Sequence, residues 1–307
     1  MLSTQRLVVF RALAEYGSFT AAADALRYTQ SAISQQIAAL ERETGAVLFE
    51  RDRKRARPTE AGEILLAHCD AILGRVEHAE QELSAYVHAR SGRLRLAAFE
   101  SAGAALVPAA VEAFHARHPE VELNVVQMEP EEAGARLESR QLDLAVVYDF
   151  EPPTGALGAE LELTYLFDDR YAAVISKRHR LAGAERVALG ELADDVWINT
   201  TERDLCHRLI LGACRAAGFE PGVAFEVDEI ATSQALVARG AGVTLLPSLA
   251  IGSRHRDVAL AQLGDDAPMR RIYAARLASR YRTPASEAMV SVLSEVSGRL
   301  SPDTAAA

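Results

Sequence analysis

Residues 17–45 read GSFTAAADALRYTQSAISQQIAALERETG. Two short apolar stripes with a tight break between them decide the character of this end of the chain. Ser18 suits the N-cap of a helix that turns Phe19, Ala22, Ala23 and Leu26 inward. A turn over Arg27–Thr29 leads to a second helix, Gln30 to about Thr44, with Ala32, Ile33, Ile37 and Leu40 inward and Gly45 at its C′ position. Gln30, Ser31, Ser34 and Gln35 then fall on the outward face. A glutamine amide can pair with adenine N6/N7 in a major groove, and a serine hydroxyl can meet a base edge or a phosphate.

Working outward, Leu2, Arg6, Leu7, Phe10, Leu13 and Ala14 mark a preceding helix that ends near Gly17. On the other side, Ala46–Arg57 is short, extended and basic, and reads as a small two-stranded wing. It carries Arg51, Arg53, Lys54, Arg55 and Arg57, cations suited to phosphates or a minor groove. A polar helix face or a charge run alone is ordinarily just solvated. In the order helix, turn, helix, wing, the two together point to double-stranded DNA.

Thr59 can cap a fourth helix, with Glu60 and Glu63 at the positive end of its dipole. In that helix Leu65, Cys69, Ile72, Val76, Ala79, Leu83 and Tyr86 recur at alternating steps of four and three, a heptad seam over roughly 45 Å. Such a stripe is either an amphipathic helix packed on its own domain or a dimer seam, and because the head is too small to cover so long a helix the dimer seam is favoured. From Arg93 onward, strand-like runs (94–99, 121–128, 144–148, 171–175, 196–198, 224–227, 243–246) alternate with helical ones (104–117, 131–140, 205–217, 230–239). That alternation predicts α/β units with mostly parallel sheets. The stretch EPPTGALG at 151–158 is expected to precede a crossover between two lobes.

Composition agrees with this division. The 307 residues carry 33 Lys/Arg and 43 Asp/Glu, a formal charge of −10. Residues 1–58 hold nine of the bases and six of the acids, leaving 24 and 37 for the rest. A basic head thus sits on an acidic body. No apolar run reaches the ~18 residues of a membrane span, Arg6, Arg11 and Glu15 break up any leader peptide, and three scattered cysteines make no disulfide framework. A cytoplasmic location without membrane contact is expected.

The segment 10–62 resembles the N-terminal domain of LysR-type transcriptional regulators. The resemblance rests on Phe10, Gly17, Ser18, Ala22-Ala23, Leu26, Gln30-Ser31-Ala32, Ser34, Ile37, Leu40-Glu41, Gly45, Leu48-Phe49, Arg51, Thr59 and Ala61-Gly62. Weaker landmarks follow in Leu142–Ala145, Ala217–Pro221, Gly240–Val243 and Leu246-Pro247. The implied architecture is α/β overall. It comprises a winged helix-turn-helix (1–58), a dimerising linker helix (59–89), and a two-lobed effector domain (90–307) like that of periplasmic solute-binding proteins. Lobe I is expected over about 92–161 plus 267–300, and lobe II over about 162–266. The resemblance further implies that Gln30–Gln36 enters the major groove, with Gln36 among the contacts and Arg51, Arg53, Lys54 and Arg55 on the backbone or minor groove. Expected partners are an interrupted inverted repeat in a promoter, a small-molecule effector, a second copy or three further copies of the chain, and RNA polymerase. Gln35 stands where many relatives have arginine, and Pro58 where many have leucine.

In such a module the ligand sits between lobes, near strand carboxyl ends and helix N-termini. The matching positions are Phe99, Glu100 and Ser101 after the first strand, Gln127 and Glu129 after the second, and Tyr148 with Asp149 after the third. From the other lobe come Thr200 and Thr201, expected to open a helix. Ser101, Thr200 and Thr201 suit an anion, whereas Glu100, Glu129 and Asp149 suit a cation or a neutral ligand, and both remain open. Peroxide-sensing relatives use a cysteine pair in this lobe. Here Cys206 and Cys214 fall on one expected helix roughly 12 Å apart, which reads as two small buried hydrophobes. His115 and His118 lack a third ligand, so no metal is expected, and no cofactor. GxSxG, GxxxxGK[ST] and HExxH are absent, and Gly240-Ala241-Gly242 is only a fragment of a dinucleotide fingerprint, so an enzyme is not expected. A free-standing solute-binding protein would not need the basic head.

Overall fold

The computed structural model describes residues 2–52, 55–87, 92–150, 157–158, 160–202, 204–252, 254–264, 267–278 and 282–300. Three helices open the chain: α1 (Thr4–Tyr16), α2 (Phe19–Leu26) and α3 (Gln30–Thr44). Their ends are set locally. The Ala21 N–H donates to Ser18 Oγ at 3.1 Å and the Ala32 N–H to Thr29 Oγ1 at 3.2 Å, each satisfying an orphan amide of a first turn. Arg27 closes α2 in the left-handed region, with φ 57°, and so creates the break before α3. Leu7, Phe10, Leu13, Ala22, Ala23, Ile33, Ile37 and Leu40 are buried together, each large side chain contributing about 1.5–3 kcal/mol. Val9 and Ala12 are buried as well, whereas Leu2 is exposed.

The expected wing is present as an antiparallel pair, β1 (Phe49–Asp52) with β2 (Arg55–Pro58). It is anchored to the helices, because the Ala56 N–H donates to the Gly17 carbonyl at 2.8 Å. The linker helix α4 (Glu60–Val87) follows, capped by Thr59 Oγ1, which accepts from the Gly62 N–H at 3.1 Å. The first half of its heptad stripe does not face outward. Cys69 and Leu73 belong to the core of the head, and Leu65, Leu66 and Ile72 pack against it. The head therefore covers more of this helix than its size suggests, and the stripe is free of the head only from Val76, half-buried, and Ala79, exposed. The Leu83 and Tyr86 side chains lie outside the described residues.

Lobe I begins with β3 (Arg93–Ala98), α5 (Glu100–Ala105), α6 (Val107–Arg117), β4 (Glu122–Gln127), α7 (Pro130–Glu138) and β5 (Leu144–Asp149). The helix expected over 104–117 is thus two helices, with Pro108 in the first turn of the second, where a missing N–H costs nothing. β4, β3 and β5 are parallel neighbours. The EPPTGALG stretch lies outside the described residues except for its last two.

A sixteen-residue strand, β6 (Leu161–Ser176), carries the chain across. Its first ten residues pair with the later strand Met269–Leu277 in the sheet of lobe I, while residues 171–176 pair with strands of lobe II. Lobe II continues with β7 (Arg186–Val187), a 3-10 turn (Leu189–Leu192), β8 (Val196–Asn199), α8 (Leu205–Ala216), β9 (Gly222–Glu226), α9 (Ile230–Ala238), β10 (Thr244–Pro247), α10 (Ser248–Ile251) and β11 (Val258–Leu263). The return strand β12 (Met269–Leu277) lies antiparallel between β5 and β6, and α11 (Pro284–Leu300) closes lobe I. Both crossings, near Arg170-Tyr171 and Pro268, are stitched by the Tyr171 N–H donating to the Pro268 carbonyl at 2.9 Å.

Candidate functional site

On the head, the sealed face of α3 fixes what its other face offers. With Ile33, Ile37 and Leu40 fully buried, Gln30, Ser31 and Gln35 are exposed and Ser34 and Gln36 half-buried. Ser31 Oγ lies 3.0 Å from Thr29 Oγ1. Gln36 is partly spent inside the domain, because its Oε1 accepts from Arg6 Nε at 3.2 Å while Arg6 also pairs with Glu43. Arg57 is exposed on the second strand of the wing. The Arg51, Arg53, Lys54 and Arg55 side chains lie outside the described residues.

Between the lobes is a cavity of about 430 Å³, within the range of small-molecule sites. Phe99, Glu100 and Ser101 reach it where β3 passes into α5, and Gln127 and Glu129 where β4 passes into α7. Tyr148 comes from the end of β5, and Thr200 and Thr201 follow β8. All eight expected cleft residues thus converge on one space. Asp149 does not join them. It is 8% exposed, and its Oδ1 accepts from the Phe150 N–H at 2.8 Å, so it serves the strand end and not the cleft. Nor do Thr200 and Thr201 open a helix. α8 starts at Leu205, capped by Asp204, and Thr201 is held instead by Asp228, through its N–H at 2.8 Å and its hydroxyl at 3.1 Å.

The centre of the cleft is a residue that sequence reasoning did not single out. Arg270, on β12, is 3% exposed. It donates from Nε to Asp169 Oδ2 at 3.0 Å and from Nη2 to Ser101 Oγ at 2.6 Å. Its guanidinium also lies 4.7 Å and 4.8 Å from the ring centres of Phe99 and Tyr148, close enough for cation–π attraction. Burial works against its charge, but Asp169 and the surrounding tyrosine and thiol groups outweigh that and raise its pKa. Asp169 Oδ1 accepts from Ser248 Oγ at 2.5 Å and from the Leu249 N–H at 3.1 Å. One ion pair therefore ties both crossing strands to α5 of lobe I and α10 of lobe II. The signal available in the sequence was the alternation Arg270, Ile272, Ala274, with an arginine in an inward slot.

Cys206 and Cys214 lie on α8 and both are buried free thiols. Burial pushes Cys206 up to about 11 and Cys214 to about 12. Tyr171 donates to Cys206 Sγ at 3.1 Å. Among the described residues no group of three His, Cys, Asp or Glu could hold a metal ion, and no helix is long and apolar enough to cross a membrane.

Comparison with known proteins agrees with this architecture along the chain. The family description "Bacterial regulatory helix-turn-helix protein, lysR family" matches residues 4–63, and "LysR substrate binding domain" matches residues 88–298. The DNA-binding transcriptional dual regulator OxyR of Escherichia coli is 30% identical over 250 residues, covering 80% of this chain and 79% of its own. The probable HTH-type transcriptional regulator LrrA of Synechococcus elongatus is 30% identical over 294 residues, 95% and 96% of the two chains. A hydrogen peroxide-inducible genes activator of Dickeya chrysanthemi is 29% identical over 240 residues, 78% of this chain and 77% of its own. Among solved structures, full-length CbnR complexed with target DNA superposes with a TM-score of 0.74 at 22% identity, covering 96% of this chain and all of that one. With its winged head and its two-lobed cleft both matched, the chain belongs to the LysR family of transcriptional regulators, DNA-binding proteins with an effector-binding domain, and is not an enzyme.

Proposed function

We propose that the protein binds promoter DNA through the outward face of α3 and the wing, under control of a small molecule held between the lobes. The observation that carries this reading is the two-sidedness of α3: three apolar residues sealed into the head behind Gln30, Ser31 and Gln35, which are exposed. Gln30, Ser31, Ser34 and Gln35 read base edges, with Gln36 at their margin, and Arg51, Arg53, Lys54 and Arg55 hold phosphates or the minor groove. Paired by the linker helix, two heads would straddle an interrupted inverted repeat, as a dimer or a pair of dimers. Lobe closure would then alter head placement and contact with RNA polymerase, in the cytoplasm. Closure shifts that equilibrium only as far as the effector prefers one state.

Fluorescence anisotropy on the DNA upstream of the protein's own gene, against a scrambled duplex at two salt concentrations, tests this. A preference of about a thousandfold or more is expected. Gln35→Ala should weaken specific binding by about 1–3 kcal/mol and leave nonspecific binding unchanged. Equal loss on both duplexes removes Gln35 from base readout.

Peroxide sensing, suggested by the relatives named for it, fits this chain poorly. Both thiols are raised by burial, which withholds the thiolate that peroxide attacks. Eight helical residues hold them roughly 12 Å apart, beyond the ~7 Å between Cα atoms that a disulfide spans. Exposure of the native protein to stoichiometric hydrogen peroxide should leave both thiols free by mass spectrometry. A Cys206–Cys214 disulfide would restore peroxide as the signal.

A further inference from the structure

We propose that the effector of this cleft is a small organic cation, an ammonium group on a molecule that also carries a hydrogen-bond-accepting oxygen. The inference rests on the reading of the cleft as the effector site and adds the chemistry of its occupant.

The cleft has little left with which to hold an anion. Each helix start that faces it already carries an acid of its own: Glu100 in α5, Glu129 and Glu131 at α7, Asp204 at α8 and Glu229 at α9. Those carboxylates meet the positive dipole ends that an anion would otherwise use. Of the hydroxyls expected to serve an anion, Thr201 is spent on Asp228, and Ser101 is held in place by the bond it accepts from Arg270. Arg270 is the one cation among the described lining residues, and Asp169 holds it at 2.9 Å.

What remains is negative charge facing negative charge. Glu100 and Glu129 stand on lobe I, and Asp204 and Glu229 on lobe II. The carboxyl of Glu129 is raised by loss of water in the cleft and then by Asp204 opposite. That of Glu100 is also raised by loss of water, with a smaller push from Glu229 opposite, against the lowering effect of a hydrogen bond that it accepts from the Ile230 backbone N–H. An ammonium between the lobes would turn this repulsion into attraction and favour the closed arrangement. The second requirement is set by Asn199, which lines the cavity and is 2% exposed. Its Oδ1 accepts from the Thr200 N–H at 2.9 Å, which fixes the amide, and its Nδ2 meets no partner among the described residues. Thr200 Oγ1 is likewise buried and unpartnered. A buried donor left without an acceptor is destabilising, and an oxygen on the ligand satisfies it. The carboxylates do not converge as a metal site among the described residues, so the cation is organic.

Binding to the full-length protein should be measured by calorimetry and thermal shift at fixed ionic strength, with two sets of probes matched in shape. The fragment set is ethanolamine, ethylene glycol and glycolate. The larger set is tyramine, tyrosol and 4-hydroxyphenylacetate. The ammonium member of at least one set should bind at least tenfold more tightly than both its partners. The Glu129→Gln/Asp204→Asn double variant, in which Asn can still cap α8, should lose at least tenfold in that affinity while its affinity for the carboxylate rises. Tightest binding of a carboxylate, or no preference within either set, overturns the proposal. Promoter binding is followed in parallel. If specific DNA binding responds to a carboxylate, the cleft stands as effector site and the cation inference falls. Absence of specific DNA binding under all conditions sinks the regulatory reading itself.

Discussion

At Gly62, in the first turn of α4, an added Cβ would stand 2.3 Å from the Leu48 carbonyl oxygen and 3.1 Å from the Pro58 side chain. The helix start and the wing approach one another there as backbone against backbone, so neither partner can yield by a rotamer change. Gly62→Ala should lower stability by about 1–3 kcal/mol and weaken DNA binding, because Leu48 leads directly into β1. Gly183→Ala, where a Cβ meets nothing within 4 Å, serves as the control and should change neither. Thermal melting followed by circular dichroism decides between them, and equal melting temperatures would mean that the contact relaxes at no cost. Gly62 was visible in the sequence only as part of a family pattern, since a close approach between distant segments leaves no periodic trace. Arg270 was hidden for a different reason. An arginine in an inward strand position breaks the apolar alternation that marks a core strand, and its partner Asp169 is about a hundred residues away.

Helix α4 shows what periodicity can and cannot decide at the scale of an element. The heptad pattern correctly located one long helix with one apolar stripe, but a stripe does not say what covers it. Cys69 and Leu73 are covered by the chain's own head, with the Cys69 thiol 3.4 Å from the Leu7 carbonyl. The stripe beyond Val76 is not covered by the head, and a second copy is proposed to cover it. The two halves should therefore respond oppositely to substitution. Leu73→Ala should cost about 2–5 kcal/mol of stability and leave the assembly intact. Leu83→Glu should shift the protein toward monomer in sedimentation equilibrium and leave the melting of the head unchanged. A dimer that survives Leu83→Glu would move the contact off this helix. The same limit applies to β6 and β12. The first half of β6 is half-buried on alternate residues, with Glu162, Asp168 and Asp169 interrupting its apolar residues, and β12 carries four arginine-bearing or polar breaks around its core positions. Neither that half of β6 nor β12 presents the apolar run by which β3, β5 and residues 171–175 of β6, buried almost throughout, were legible.

For the whole molecule, the acids that face one another across the cleft couple lobe geometry to protons. Glu129 lies opposite Asp204 of α8, beside Glu100 of α5 and Arg270 of β12, and its Oε2 accepts from Tyr148 OH of β5 at 3.2 Å. Lost hydration and the two neighbouring acids raise its pKa, against the smaller opposing effects of the tyrosine bond and the arginine. A carboxyl whose pKa is higher in the folded than in the unfolded chain binds more protons when folded. The sign of the linkage then runs opposite to that of a salt-bridged acid, and stability falls as pH rises from the ordinary carboxylate range through the raised value. Melting temperature measured from pH 4.5 to 8 should decline over the lower part of that range. Glu129→Gln, which keeps a hydrogen-bonding partner for Tyr148, should flatten the decline and raise the melting temperature most at its upper end. A parallel offset with an unchanged slope would mean that Glu129 is hydrated and uncoupled from the opposing lobe. A flattened slope would show that charge across the cleft works against the compact arrangement of the lobes, which is the free energy an effector placed between them could recover.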